Sequence, residues 1–142
     1  MGQGKTIEQI NIGDTAKFSK TISESDVYLY AGITGDYNPA HLNEIEAKST
    51  IFGERIAHGL LSAGLISAAL GVQLPGPGTV YLGQDLRFLK PVRFGDTITA
   101  IVEVVERIEK KNIVKLSTKC LNQNNEVVIT GTATVMPRKV NI

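Results

Sequence analysis

The chain has 142 residues, a formal net charge of +1, 42% hydrophobic residues and one cysteine. This length supports one substantial core, so we expect a single domain over residues 1–142. The composition excludes a basic nucleic-acid surface and an intrachain disulfide framework, and a single cysteine with two histidines disfavours a structural zinc site.

The first third of the chain favours one strand and two helices. Residues 1–13 form a polar lead-in without the apolar stretch of a signal peptide, so we expect a cytoplasmic protein. Residues 16–22 alternate apolar and polar side chains, as half-buried strands do. Ser23 can cap a helix that ends at Gly35, and Asn43 can cap a second, short helix over residues 44–49.

The most apolar part of the chain lies between His58 and Gln84, where Asp, Glu, Lys and Arg do not occur. From Gly59 onwards, leucine, isoleucine and alanine occur on all sides of a predicted helix, which is typical of a buried helix. The segment before Pro75 has about 14 residues, whereas a bilayer requires roughly 20. We therefore expect a central buried helix and no membrane segment.

The sequence after Gly78 favours antiparallel strands. The predicted strands cover residues 79–89, with a possible bulge at Gly83, then 97–109, 113–121 and a last strand that ends before Pro137. Cys120 falls on the apolar phase of the third of these strands, so we interpret it as a core residue and not as a nucleophile. A helix on one face of an antiparallel sheet belongs to the α+β class.

Asp36 and His41 are the strongest candidates for chemistry. On a helix, a separation of five residues would place the two side chains roughly 140° apart, and Pro39 disfavours the helical region for Asn38. We therefore predict a rigid loop over residues 36–41 that directs the carboxylate and the imidazole towards one water molecule. From spacing alone, an ordinary turn before a helix remains open, because Asp, Asn, Gly and Pro are common turn residues.

The segment from Tyr30 to His41, YAGITGDYNPAH, resembles the signature of the MaoC-like, (R)-specific enoyl-CoA hydratases. Three later blocks resemble the same family in the same order, at residues 56–61, 81–84 and 88–96. One departure is Ala40, where the family usually carries a larger aliphatic residue. The resemblance implies one MaoC-like hot dog domain, in which the sheet wraps around the central helix. It also implies a homodimer or a higher homo-oligomer whose acyl site lies where two domains meet.

The same resemblance implies reversible hydration of a trans-2-enoyl thioester of CoA, or of acyl-carrier protein, to the (R)-3-hydroxyacyl thioester. Asp36 and His41 would hold and activate the water, without a metal or a redox cofactor, and Asn38 would support the loop. The family role of an oxyanion-hole N–H carries over to Gly59, and that of a supporting serine to Ser67. The open alternatives are that Gly59 only permits helix packing and that Ser67 bonds back to its own helix.

Two other functions remain open at this stage. One is an acyl-CoA thioesterase on the same fold, and the other is a non-catalytic subunit that binds acyl thioesters. We interpret His58 as a helix-start residue with local hydrogen bonds, with a catalytic role as the alternative. We interpret Arg87, Lys90 and Arg93 as a solvated strand end, with contacts to the CoA phosphates as the alternative.

Overall fold

The computed structural model of the chain describes residues 2–140 and contains one antiparallel sheet. The sheet order is β1-β4-β5-β6-β2, and β3 also pairs with β6. The strands are β1 (Thr15–Thr21), β2 (Val80–Gln84), β3 (Arg87–Phe88), β4 (Thr97–Ile108), β5 (Ile113–Leu121) and β6 (Val127–Met136).

Four α-helices accompany the sheet, and the long connection between β1 and β2 carries all of them. They are α1 (Glu24–Thr34), α2 (Pro39–Leu42), α3 (Glu44–Ala47) and α4 (Gly59–Ala68), and a π-helical turn (Ala69–Gln73) continues α4. Short 3-10 segments occur at Ile7–Gln9 and Glu109–Lys111. Within residues 2–140, no helix combines the length and apolar character needed to cross a bilayer.

Helix α4 lies against the concave face of the sheet, as predicted. It contacts strands β1, β4 and β5, and its residues Leu65 and Ile66 are buried in the core. The inward-facing residues of β4, β5 and β6 complete this core because alternate side chains of a strand point to the same face. The largest fully buried side chains include Ile22, Val27, Ile66, Leu70, Ile98, Val102, Leu116 and Ile129. The α+β arrangement of a sheet curved around a central helix is confirmed.

Local signals in the sequence predicted the helix ends correctly. The Ser23 hydroxyl accepts a hydrogen bond from the Asp26 N–H at 3.1 Å, and Gly35 ends α1 with a φ of 80°. Asn43 Oδ1 accepts hydrogen bonds from two N–H groups at the start of α3. In β5 the predicted inward residues, Val114, Leu116, Thr118 and Cys120, are all buried.

Three elements differ from the prediction. The lead-in is not simply polar, because Ile7 and Ile10 are buried in the core. Residues 79–89 form two strands instead of one, and the predicted irregularity at Gly83 is present in the pairing of β2 with β6. Helix α4 is not buried on all sides, since Leu60 is 57% exposed. Gly64 and Ser67, one and two turns further on, are also exposed.

Candidate active site

The non-helical loop between α1 and α3 is shorter than predicted, because part of the predicted loop is helical. Gly35 takes a left-handed conformation and redirects the chain after α1. Asn38 then caps α2, because its Oδ1 accepts a hydrogen bond from the Ala40 N–H at 3.0 Å. Pro39 is the first residue of α2, a position at which its fixed φ suits a helix and its missing N–H costs nothing. The predicted loop therefore ends at Asn38, and His41 lies on a helical turn.

The surroundings of His41 determine which ring nitrogen is free. Its Nδ1–H donates to the Ile56 carbonyl oxygen at 2.7 Å, and the side chain is buried. A neutral imidazole that donates through Nδ1 carries its lone pair on Nε2. Nε2 can therefore accept a proton from a bound water molecule.

Asp36 lies on the exposed loop opposite this imidazole. One of its carboxylate oxygens and one ring nitrogen of each of His41 and His58 lie within 4.8 Å of one another. Two hydrogen bonds of about 2.8 Å that meet near the tetrahedral angle at a water molecule span about 4.6 Å. The structure thus brings Asp36 and His41 together at a distance that one water molecule can bridge.

His58 is a third member of this group, and it lies at the start of α4 as predicted. We predicted local hydrogen bonds, but its Nε2–H donates to the backbone carbonyl of Asp36 at 2.9 Å, 22 residues away along the chain. Its ring stacks on that of His41, with centroids 3.9 Å apart and an interplanar angle of 29°. Tyr30 packs against its other side, with a centroid distance of 4.6 Å. The proximity of His58 to the predicted pair could not be read from the sequence.

A carboxylate and two imidazoles are also a common metal-binding set. Metal ligation requires the in-plane lone pairs of both rings to converge on a point about 2.1 Å from each nitrogen. The ring planes of His41 and His58 are inclined by only 29° to each other, so their in-plane lone pairs lie in nearly parallel planes. This stacking disfavours ligation of one metal ion by both rings.

The start of α4 forms another part of the same site. Gly59 is the first residue of the helix, where backbone N–H groups have no partners inside the helix and the helix dipole favours negative charge. A methyl group built on Gly59 would lie 2.6 Å from Cε1 of Phe88. The Phe88 ring would therefore have to move to accommodate a side chain at this position, and the glycine also leaves the helix start open to a ligand.

These groups line one cavity of ≈ 390 Å³. Asp36, His41 and His58 contribute polar side chains to its lining, as do Tyr30 and Lys90, and Gly59 lines the same cavity. Ligand pockets of about 300–1,000 Å³ with an apolar wall and a few polar groups are typical of small-molecule sites. The apolar wall includes Phe52, Ile56, Leu60, Leu89, Val92 and Ile129.

Two predicted support residues occupy different positions. Asn38 acts on the site through its cap on α2, whereas Ser67 is exposed and is not among the residues that line the cavity. Lys90 borders the cavity but forms an ion pair with Glu126, as expected for a solvated strand end.

Cys120 lies in the core behind α4. Burial raises the pKa of its thiol to about 12, and the thiol donates a weak hydrogen bond to the Ser62 carbonyl at 3.8 Å. A thiol that stays protonated and buried is a poor nucleophile, which agrees with its interpretation as a core residue.

Comparison with known proteins supports the fold and shows the family of the chain. The chain is 54% identical over 129 residues to the (R)-specific enoyl-CoA hydratase of Rhodospirillum rubrum, covering 91% of this chain and 89% of that protein. It is 50% identical over 133 residues to the 3-hydroxybutyryl-CoA dehydratase of Methylorubrum extorquens, covering 93% and 84% of the two chains.

A solved structure, the unliganded R-hydratase PhaJ1 of Pseudomonas aeruginosa, superposes with a TM-score of 0.90 at 42% identity. The match covers 99% of this chain and 92% of that one, and the predicted hot dog fold is confirmed. The family described as "MaoC like domain" matches residues 8–125. The chain therefore belongs to the MaoC-like domain family.

Proposed function

We propose that this protein catalyses the (R)-specific hydration of trans-2-enoyl-CoA to (R)-3-hydroxyacyl-CoA, and the reverse dehydration. The observation that carries this proposal is the meeting of the Asp36 carboxylate, the His41 imidazole and the start of α4 at one cavity. The relatives named as an (R)-specific enoyl-CoA hydratase and a 3-hydroxybutyryl-CoA dehydratase support the same reaction.

The first chemical requirement is a water molecule that loses a proton as it attacks the β-carbon. The Asp36 carboxylate and His41 Nε2 would hold this water between them, and one of them takes its proton. The hydrogen bond from His41 Nδ1 to the Ile56 carbonyl keeps Nε2 directed at the water and stabilises the imidazolium once it forms. Each positioned proton transfer of this kind contributes about 10²–10⁴ in rate.

The second requirement concerns the electrons of the double bond. As the new C–O bond forms, these electrons move to the α-carbon and the thioester carbonyl, so that its oxygen becomes enolate-like. The N–H groups at the start of α4 would stabilise this oxygen, and one such donor is worth about 3–4 kcal/mol in the transition state. Return of a proton from the Asp36–His41 pair to the α-carbon completes the addition of water.

The exposed face of α4 supports a homodimer. This face lies in a groove beside β2, which is the edge strand of the sheet and carries the exposed side chains Tyr81 and Leu82. Sheet edges and apolar grooves of this kind are sites of association. Leu60 lines both this groove and the catalytic cavity. A second copy on the groove would therefore also complete the wall of the site.

The substrate we propose is the CoA thioester itself, with no metal or redox cofactor and no nucleic-acid partner. The single buried cysteine suits a reducing compartment such as the cytoplasm. An acyl-carrier-protein thioester would use the same chemistry, and comparison of the two carriers at equal concentration would separate them.

The absorbance of the conjugated thioester tests the proposed reaction. Purified protein is mixed with crotonyl-CoA and then with a longer trans-2-enoyl-CoA, and the product is passed to an (R)-3-hydroxyacyl-specific dehydrogenase. We expect loss of the enoyl absorbance with coupled turnover. Release of free thiol instead would indicate a thioesterase, and binding without turnover would indicate a non-catalytic subunit.

Two substitutions connect the reaction to the site. Asp36→Asn and His41→Gln should each abolish nearly all turnover while the protein stays folded by circular dichroism. Glu46→Gln, an exposed change on α3, is the matched control and should retain the wild-type rate. Wild-type rates in either site variant would contradict the assignment of the catalytic pair.

The oligomeric state is measured separately, by sedimentation of the wild type and of Leu82→Lys. We expect a wild-type dimer, with dissociation and reduced turnover in the variant. A monomeric wild-type protein with full activity would refute the shared wall.

A further inference from the structure

His58 and Ser62 each carry one buried polar atom that has no hydrogen-bond partner. Among the buried side-chain nitrogen and oxygen atoms of residues 2–140, only His58 Nδ1, Ser62 Oγ and Arg107 Nε have no hydrogen-bond partner. An unpartnered buried polar atom is costly and uncommon in native proteins. Two of these three atoms therefore require an explanation at the start of α4, beside the cavity.

The two residues lie one turn apart at the start of α4. His58 is the N-cap residue of α4, and Ser62 is four residues further on. Residues four apart lie one above the other on the same face, and side chains lean towards the helix N-terminus. The Ser62 side chain is therefore directed towards the turn that carries His58, and both residues are buried at 0% and 3% exposure.

The donor and acceptor chemistry of the two groups is complementary. Because His58 Nε2–H donates to the Asp36 carbonyl, the Nδ1 of a neutral ring is an acceptor without a hydrogen. The Ser62 hydroxyl is a donor that can rotate to meet it. No direct hydrogen bond joins the two atoms. One shared water molecule that accepts from the hydroxyl and donates to Nδ1 satisfies both atoms at once.

We propose that His58 is a positioning residue, held by Ser62, that links the start of α4 to the catalytic loop. Through a shared water molecule, the hydroxyl of Ser62 provides a donor to Nδ1 and thereby keeps the proton of the ring on Nε2. That N–H holds the Asp36 backbone, and the face of the ring holds His41 in place. One side chain thus sets the position of both members of the catalytic pair relative to Gly59, the residue that follows it.

The assignment of His41 and Asp36 as a catalytic pair rests on the proposed hydratase function, but the hydrogen-bond network itself does not. Nuclear magnetic resonance of the ring nitrogens tests the network without substrate. The chain has only two histidines, so His41→Gln assigns both sets of signals. We expect His58 with a proton on Nε2 and a bare Nδ1 that accepts a hydrogen bond.

Ser62→Ala should shift the Nδ1 signal of His58 and leave the ring nitrogens of His41 nearly unchanged. Ser117→Ala, an exposed serine on β5, is the matched control and should shift neither ring. A proton on His58 Nδ1, or a Nδ1 signal that does not respond to Ser62→Ala, would overturn the network. This outcome is independent of whether the protein hydrates enoyl-CoA.

Kinetics test the positioning role. His58→Phe keeps an aromatic ring to stack on His41 but removes the donor to Asp36, whereas His58→Gln keeps a donor near the position of Nε2. We expect His58→Phe to lower kcat about 10²-fold with KM within about twofold, because displacement of catalytic groups by roughly 1 Å has effects of this size. His58→Gln should recover most of the loss, and Ser62→Ala should lower kcat several-fold.

Equal rates for the Phe and Gln variants, or a change confined to KM, would overturn the proposal. If His58→Phe does not fold, the comparison of His58→Gln and Ser62→Ala with wild type, read together with the ring-nitrogen signals, still decides it. If the wild type shows no hydratase activity, the proposed function fails while the network is judged by its nitrogen signals alone.

Discussion

Replacement of Gly59 by alanine separates the two roles that this glycine can have. The added methyl group would lie 2.6 Å from Cε1 and 2.7 Å from Cδ1 of the Phe88 ring, so the ring must move. Phe88 is 52% exposed on a strand of only two residues, and turning its ring off the preferred rotamer costs about 1 kcal/mol.

The backbone of Gly59 itself does not resist the change. Its φ lies outside the left-handed region, and alanine gains up to about 1 kcal/mol over glycine in a helix. These two terms nearly cancel. We therefore expect the free energy of unfolding of Gly59→Ala to stay within about 1 kcal/mol of the wild type.

Activity should respond much more strongly than stability. The methyl group would project beside the first N–H groups of α4, where the thioester oxygen must approach. Loss of one oxyanion donor costs about 10²–10³ in kcat. The assay is crotonyl-CoA hydration, with thermal unfolding measured on the same samples.

Phe88→Leu provides the companion variant, because it relieves the contact but leaves the methyl group in place. We expect Gly59→Ala with Phe88→Leu to remain as slow as Gly59→Ala alone. A wild-type rate in Gly59→Ala would refute the oxyanion role. Recovery of the rate in the double variant would show that Gly59 matters only for packing.

Three further predictions follow from individual contacts. Asn38→Ala removes the cap of α2 and should cost about 1 kcal/mol in chemical denaturation, with a fall in kcat because His41 lies on that turn. The Cys120 thiol, whose pKa burial raises to about 12, should resist alkylation at pH 8 in the folded protein and react promptly after unfolding in urea. Hydrogen bonds from the Ser23 backbone and the Lys20 ammonium hold the pKa of Asp26 below its usual value. Its stabilisation is therefore present above about pH 4 and is lost as pH falls through the lowered pKa, so the Tm difference between wild type and Asp26→Asn should narrow in acid.

The features that could be predicted from sequence are those set by nearby residues. Ser23 and Asn43 cap helices because a side-chain oxygen reaches an N–H two or three residues on. The inward phase of β5 follows from strict alternation of apolar residues. Asp36 and His41 meet because five residues that include a proline and a helix cap restrict their separation.

The contacts of His58 could not be predicted in this way. Its bond to Asp36 spans 22 residues and depends on the packing of α4 against the loop after α1. No local sequence pattern predicts a contact between residues that lie 22 positions apart. The only sequence signal was its position directly before Gly59, at the start of the apolar segment, and a capping role explains that position equally well.

The exposed face of α4 shows a second reason why sequence-based prediction was incomplete. Apolar residues on all sides of a helix predict burial, but composition does not say whether the covering surface comes from the same chain. In the single chain, Leu60 and Val72 remain more than half exposed. The predicted burial is therefore confirmed for the face that carries Leu65 and Ile66 and is wrong for the face that carries Leu60.

The proposed catalytic pair lies on short segments that cannot be stable by themselves. Helix α2 has four residues, and isolated helices of that length do not form in water. Its geometry depends on the Asn38 cap and on the bond from His41 to the Ile56 carbonyl. Stacking of His41 on His58 adds a contact to the start of α4. Helix α4 is anchored in the core by Leu65 and Ile66. The two histidines therefore connect the exposed Asp36 loop to the packed sheet and its central helix, because His58 contacts both the Asp36 backbone and the His41 ring.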